Sequence, residues 1–193
     1  MKTKLNKLLQ DGRTIFTLDD LSVIWGQKNR RQTSYSAKYY AKIGDLRRIR
    51  RGVYAVNGRK LSEYEIANKL IAPSYVSGET VLALKGVTFQ FTGKIFSMAA
   101  NNKTLSTKYG EYVYRQLRKE VLFNEMGIED DGGVLMACLE RAMLDLIYTH
   151  KGEYPFEYVE MVNWGKLKKI SKIYRSKIVD RVVKKLIEEN END

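Results

Sequence analysis

Between Gln27 and Arg51 the chain carries side chains suited to one kind of chemistry, gripping a polyanion and reading its edges. Every side chain in Gln27-Lys28-Asn29-Arg30-Arg31-Gln32-Thr33-Ser34 can donate or accept a hydrogen bond, and three of them are cations. A second run, Leu46-Arg47-Arg48-Ile49-Arg50-Arg51-Gly52, adds four arginines. Guanidinium groups make paired, charge-assisted hydrogen bonds to phosphate oxygens. Short polar side chains at the start of a helix can meet base edges in the major groove of DNA. These types and spacings place Arg30, Arg31, Arg47, Arg48, Arg50 and Arg51 on phosphates. They place Gln32, Thr33, Ser34 and Ser36, with Lys38 and Tyr40, near the bases. The ligand so described is double-stranded DNA; the aromatic-glycine stacking motifs of the common RNA modules do not occur.

The elements that must position these residues follow from the apolar spacing. Leu5, Leu8 and Leu9 recur as on one helical face. Thr17, with Asp20 three residues on, predicts the N-cap of a second helix that runs through Leu21, Ile24 and Trp25 and ends at Gly26. A third helix is expected from Ser34 to Ile43, with Tyr35, Tyr39 and Ile43 inward and Gly44 as its stop. The period then changes. Leu46–Ile49 and Val53–Val56 read as two short strands joined by a basic turn. Three helices and a hairpin make a winged helix-turn-helix, in which the motif's second helix enters the major groove and the hairpin follows the adjacent phosphates.

The charge distribution agrees with this division of labour. The net charge is +11; residues 1–60 hold 15 Lys/Arg against 4 Asp/Glu, so the remainder is neutral overall. All of the excess positive charge sits in one end of the chain, as a nucleic-acid-binding surface requires.

Other function classes find little support. The one cysteine, Cys138, leaves no internal disulfide or multi-cysteine zinc site, and the one histidine, His150, leaves no histidine-rich metal centre. No phosphate-cradling glycine loop occurs. Asp130 and Asp131 are adjacent and expected in a turn, pointing apart; Glu140 and Asp145 do not share a helix face. Arg141 and Asp145, one turn apart, are expected to pair. No catalytic residue, metal ligand or cofactor is therefore assigned. No apolar run approaches the ~20 residues of a membrane span, and the basic start lacks a signal peptide's apolar stretch, so a cytoplasmic location is expected.

The second part of the chain, expected to start at residue 59 after a domain of residues 1–58, reads as α+β. Helices are expected from Ser62 to before Pro73, from Gly78 to Lys85 and from Ala137 to Tyr148, with two or three more after Phe156. Strands are expected at Tyr75–Ser77, Lys94–Ala100, Glu111–Leu117 and Val134–Met136, and an edge segment at Leu122-Phe123. The C-terminal lysines from Lys166 to Lys177 read as a solvated helix face or as a second nucleic-acid contact.

In this order of elements, Arg51-Gly52-Val53-Tyr54, Pro73-Ser74-Tyr75-Val76-Ser77-Gly78 and Glu140-Arg141 with Asp145 resemble the AbiEi family, transcriptional regulators and antitoxins of abortive-infection type IV toxin–antitoxin systems. The resemblance covers most of the chain, although Gly78-Glu79-Thr80-Val81-Leu82 stands where the family more often has a Ser-Ala-Leu-type start. It implies a mixed α/β antitoxin-type domain with C-terminal helices. It also implies autorepression through inverted repeats in the protein's own promoter, and neutralisation of a nucleotidyltransferase-like toxin without a stable toxin complex. Two other readings are compatible with the residues: a winged-helix repressor whose second domain senses a ligand or partner protein, and a DNA-processing enzyme.

Overall fold

A computed structural model describes residues 2–88 and 92–191. The chain is mixed α/β, with one three-stranded and one six-stranded sheet among the described residues. Its contacts divide it into two compact units, Met1–Ala72 with Thr107–Tyr109, and Pro73–Ser106 with Gly110–Asp193.

The first unit opens with helix α1 (Lys2–Asp11), strand β1 (Ile15–Thr17) and helix α2 (Leu18–Trp25). Thr17 is the N-cap, as expected, and with Asp20 it closes a capping box: Asp20 N–H donates to the Thr17 hydroxyl oxygen, and the Asp20 carboxylate accepts from Thr17 N–H at 2.8 Å. Gly26 ends α2 with φ +63°, a conformation that costs glycine nothing.

Helix α3 runs Arg30–Lys42, starting four residues before the expected Ser34. Asn29 is the reason. Its side-chain oxygen accepts from Arg31 N–H at 2.9 Å and Gln32 N–H at 3.4 Å, so the polar run is the first turn of the helix and not a loop.

Strands β2 (Leu46–Arg50) and β3 (Val53–Val56) form the expected hairpin, and β1, not foreseen in the sequence, pairs with β3 to complete the sheet. The core gathers Leu8, Phe16, Leu21, Trp25, Ala37 and Tyr40 under Leu46 and Tyr54.

The first unit extends past the turn at residues 57–60 to take in helix α4 (Glu63–Leu70). Ser62 caps α4 through Glu65 N–H. The Glu65 carboxylate does not close a capping box. It accepts from the backbone N–H groups of Thr14 and Ile15 and from the Thr14 hydroxyl, binding α4 to the start of β1.

The second unit is built on β4 (Ser74–Val76), β5 (Lys94–Ala99), β6 (Lys103–Thr107), β7 (Gly110–Gln116), β8 (Ile128–Asp131) and β9 (Val134–Ala137), in the order β6-β7-β5-β4-β9-β8. The pairs β5/β7 and β4/β9 are parallel; β4/β5 and β8/β9 are antiparallel. Its helices are α5 (Glu79–Leu84), α6 (Lys119–Leu122), α7 (Leu139–Thr149), α8 (Trp164–Ser171) and α9 (Lys177–Glu191), with a 3-10 turn at Lys172–Tyr174.

Two expectations are corrected here. Leu122 closes α6 and Phe123 caps it, so this segment is a helix end and not a strand edge. Asp130 and Asp131 end strand β8 and precede the Gly132-Gly133 turn; adjacent in a strand, they still face opposite sides.

The sheet and α7 meet through a buried polar cluster. Asp145 accepts from the hydroxyls of Tyr75, Ser77 and Tyr174 and lies 3.5 Å from Arg141, both side chains being fully buried. The Arg141–Asp145 pair expected from the helical spacing is therefore formed. Its surroundings come from β4 and the 3-10 turn, far away in the chain.

Candidate nucleic-acid interface

The first turn of α2 is a junction. Leu18 N–H donates to the carbonyl of Gly52 at the hairpin tip, 3.0 Å away. Asp19 pairs with Arg30, the first residue of α3, at 2.6 Å. The hairpin tip and the N-terminus of α3 are thus both tied to one helical turn. Arg30 and Arg31 on one element and Arg50 and Arg51 on the other are brought to the same end of the unit.

The orientation of α3 is set from behind. Tyr40 packs on Trp25 with ring centroids 5.7 Å apart. Trp25 Nε1 donates to the Lys4 carbonyl at 3.2 Å, and the Lys4 ammonium donates to Ser36 Oγ at 3.0 Å. Thr33, Ala37 and Tyr40 form the buried face. Opposite them, Arg31, Tyr35, Lys38 and Lys42 recur at i, i+4, i+7 and i+11, an outward stripe that is exposed throughout. Gln32 and Tyr39, both exposed, flank it.

This geometry corrects part of the expected base-reading set. Thr33 and Tyr40 are buried, and Ser36 is half-buried and engaged by Lys4 and by Gln27 Nε2 at 3.3 Å. None of the three is presented for a base edge. Gln32 and Lys38 are exposed as required, and Ser34 is half-buried. Tyr35 and Tyr39, expected inward, face outward, Tyr35 at 62% exposure. Ile43, also expected inward, is exposed as well, so Tyr35, Tyr39 and Ile43 are the outward residues that sequence reasoning missed. The competing helical spacing of Thr33, Ala37 and Tyr40 could have found them, had the inward face been known.

In the hairpin a bulge between Arg48 and Arg50 shifts the register, and both of these arginines are exposed while Leu46 and Ile49 are buried. Arg48, Arg50 and Arg51 are exposed, and the ion pairs of the described residues use other cations. Arg47 differs. Its Nη2 donates to the Arg59 carbonyl at 2.5 Å, and its Nε is buried without a partner. Arg47 braces the hairpin from inside and is withdrawn from the phosphate-binding set. Arg59 in turn donates to the carbonyls of Leu9 and Arg13, at 2.7 and 2.8 Å, closing the end of α1.

The remaining ionisable residues that invite a catalytic reading are engaged structurally. Glu140 accepts from Asn163 N–H at 3.1 Å and pairs with Lys166 at 3.2 Å, whereas Asp145 faces the buried tyrosines. Cys138 is buried at the start of α7, and burial pushes its thiol above the ordinary value. His150 Nδ1 meets the Leu146 carbonyl at 3.1 Å at the other end of that helix. Among the described residues, no group of three or more His, Cys, Asp or Glu is placed to hold a metal ion. No helix of these residues is long and apolar enough to cross a membrane. Compared with known proteins, the chain matches no family model and no curated protein.

Proposed function

We propose that the first unit is a winged helix-turn-helix that binds double-stranded DNA, and that the protein is a cytoplasmic transcriptional regulator. The observation that carries this reading is the shared anchoring of the hairpin tip and the α3 N-terminus on the first turn of α2. It sets a helix with an outward stripe of cations and tyrosines beside a hairpin bearing three free arginines. In such an arrangement α3 lies in the major groove while Arg48, Arg50 and Arg51 follow the flanking phosphates. Arg31, Gln32, Tyr35 and Lys38 are then the side chains at base edges.

The resemblance of the second unit's motifs to AbiEi-type antitoxins extends the proposal. The protein represses its own operon by binding inverted repeats and counteracts a nucleotidyltransferase-like toxin encoded beside it. The polar cluster around Asp145 is read as structural and not as a catalytic centre, because it is closed to solvent and its members satisfy one another.

The test is a gel shift on the DNA upstream of the gene, against scrambled DNA, over a salt series. Promoter-selective binding that survives moderate salt is expected; unselective binding that vanishes with salt would reduce the basic end to an electrostatic surface. Co-expression with the neighbouring toxin gene tests the antitoxin half. Growth arrest unrelieved by this protein would remove it.

A further inference from the structure

In a chain with a net charge of +11, residues 120–140 contain six carboxylates and no lysine or arginine. Five of these carboxylates, Glu120, Glu125, Glu129, Asp130 and Asp131, are exposed, and the ion pairs of the described residues use none of them. The same stretch frames an open groove of about 390 Å³ in the second unit. Tyr75 and Leu122, both buried, line it from below. Phe123 stands on one side, and Ile128 and Leu135 of the β8/β9 hairpin on the other. Phe123 is 63% exposed. Asp130 lies opposite Leu135 in the hairpin register, so a carboxylate and an apolar side chain share the groove face. Glu125 lines the groove as well.

The wall that presents Phe123 is held from inside. The buried Arg141 guanidinium donates to the carbonyls of Val121, Asn124 and Met126 at 2.7, 3.3 and 3.0 Å, on both sides of Phe123 in the chain. A backbone fixed in this way loses little further freedom when a partner binds, which favours affinity. Single exposed apolar residues are ordinary on protein surfaces. A concave apolar floor with a wall fixed by a buried cation and a rim of one charge is the pattern of a binding site. Carboxylates on β8 would also discourage pairing at this free sheet edge. That accounts for the carboxylates of the strand itself, and Asp130 Oδ1 also accepts from Gly133 N–H at 2.8 Å in the hairpin turn, but neither role accounts for Phe123 or Glu125.

We propose that this groove docks a segment of another protein in which a large apolar side chain is flanked by lysines or arginines. The apolar side chain seats against Phe123, Leu122 and Leu135, and the flanking cations meet Glu125 and Asp130. The rim charge repels nucleic acid, so this surface is distinct in chemistry from the basic one on α3 and the hairpin. The proposal does not depend on the DNA-binding reading.

Short randomised peptides displayed against the full-length protein, followed by fluorescence polarisation of the enriched sequences, would test it. Enriched peptides should place Phe, Leu or Trp beside Lys or Arg. Phe123→Glu should weaken their binding by about tenfold or more, and Glu125→Lys with Asp130→Lys should do the same for basic peptides. Phe123→Ser is the milder companion, and unchanged thermal melting confirms that each variant folds. Absence of enrichment, enrichment of peptides without cations, or undiminished binding by both Phe123→Glu and Phe123→Ser would overturn the proposal. So would a concentration-dependent dimer of the protein that Phe123→Glu dissolves, since the occupant would then be a second copy.

Discussion

Trp25 and Tyr40 pack with ring centroids 5.7 Å apart, and this contact decides which face of α3 is free. With Tyr40 turned inward, Tyr35 lies on the other side, because five helical residues advance the face by one full turn and about 140° more. The two tyrosines therefore have opposite duties.

Tyr40→Ala should cost about 3–5 kcal/mol of stability, as for other large buried aromatic truncations, measured by urea unfolding. Tyr35→Ala should leave stability within ~0.5 kcal/mol and weaken binding to the promoter more than binding to scrambled DNA. Wild-type promoter selectivity in Tyr35→Ala would remove the outward stripe of α3 from the reading surface.

Each of Arg48→Ala, Arg50→Ala and Arg51→Ala should weaken binding to all DNA sequences about equally and lower the salt slope by about one. Arg47→Ala should instead reduce stability, since its side chain holds the Arg59 carbonyl. Titrations on specific and scrambled duplexes separate the two effects. An Arg50→Ala variant altered only in sequence preference would place the hairpin on base edges.

The Asp20 carboxyl is held below its ordinary range. Burial opposes its ionisation, but the Thr17 backbone N–H and hydroxyl and the Lys69 ammonium at 3.2 Å outweigh that cost. A carboxyl with a depressed folded-state value stabilises the protein above its unfolded value of ~3.9. That contribution is lost as pH falls through the folded value. Asp20→Asn should cost on the order of 1 kcal/mol near neutrality and flatten the acid limb of stability below about pH 4. Thermal melts of both proteins over that range are the check, and identical acid limbs would assign the pH dependence to other groups.

Arg141→Met would leave Asp145 buried without its cation and three loop carbonyls without a donor. A loss of about 3–5 kcal/mol is expected. Asp145→Asn, which keeps the shape but not the charge, should couple to it by more than ~0.5 kcal/mol in a double-mutant cycle. Amide exchange in residues 121–126 should accelerate in Arg141→Met. Unchanged protection there would show that the loop does not depend on Arg141.

Several features were legible in the sequence because their physics is local. The N-cap at Thr17 with Asp20 three residues on, the stop at Gly26, the hairpin turn at Gly52 and the i, i+4 pairing of Arg141 with Asp145 each depend on residues a few positions apart. The concentration of cations in the first 60 residues is a matter of composition. What these could not determine was orientation. On α3 both Tyr35/Tyr39/Ile43 and Thr33/Ala37/Tyr40 recur at helical spacing. Only Trp25, Lys4 and Gln27, arriving from other elements, select the second set as the buried one. Strand β8 (Ile-Glu-Asp-Asp) carries almost no strand signal of its own and exists through its ladder with β9. The surroundings of Asp145 combine hydroxyls from Tyr75, Ser77 and Tyr174 with Arg141. Backbone propensity and capping act within a turn or two and can be read along the chain. Burial and register are set by whichever distant surface excludes water, and the tertiary structure alone supplies it.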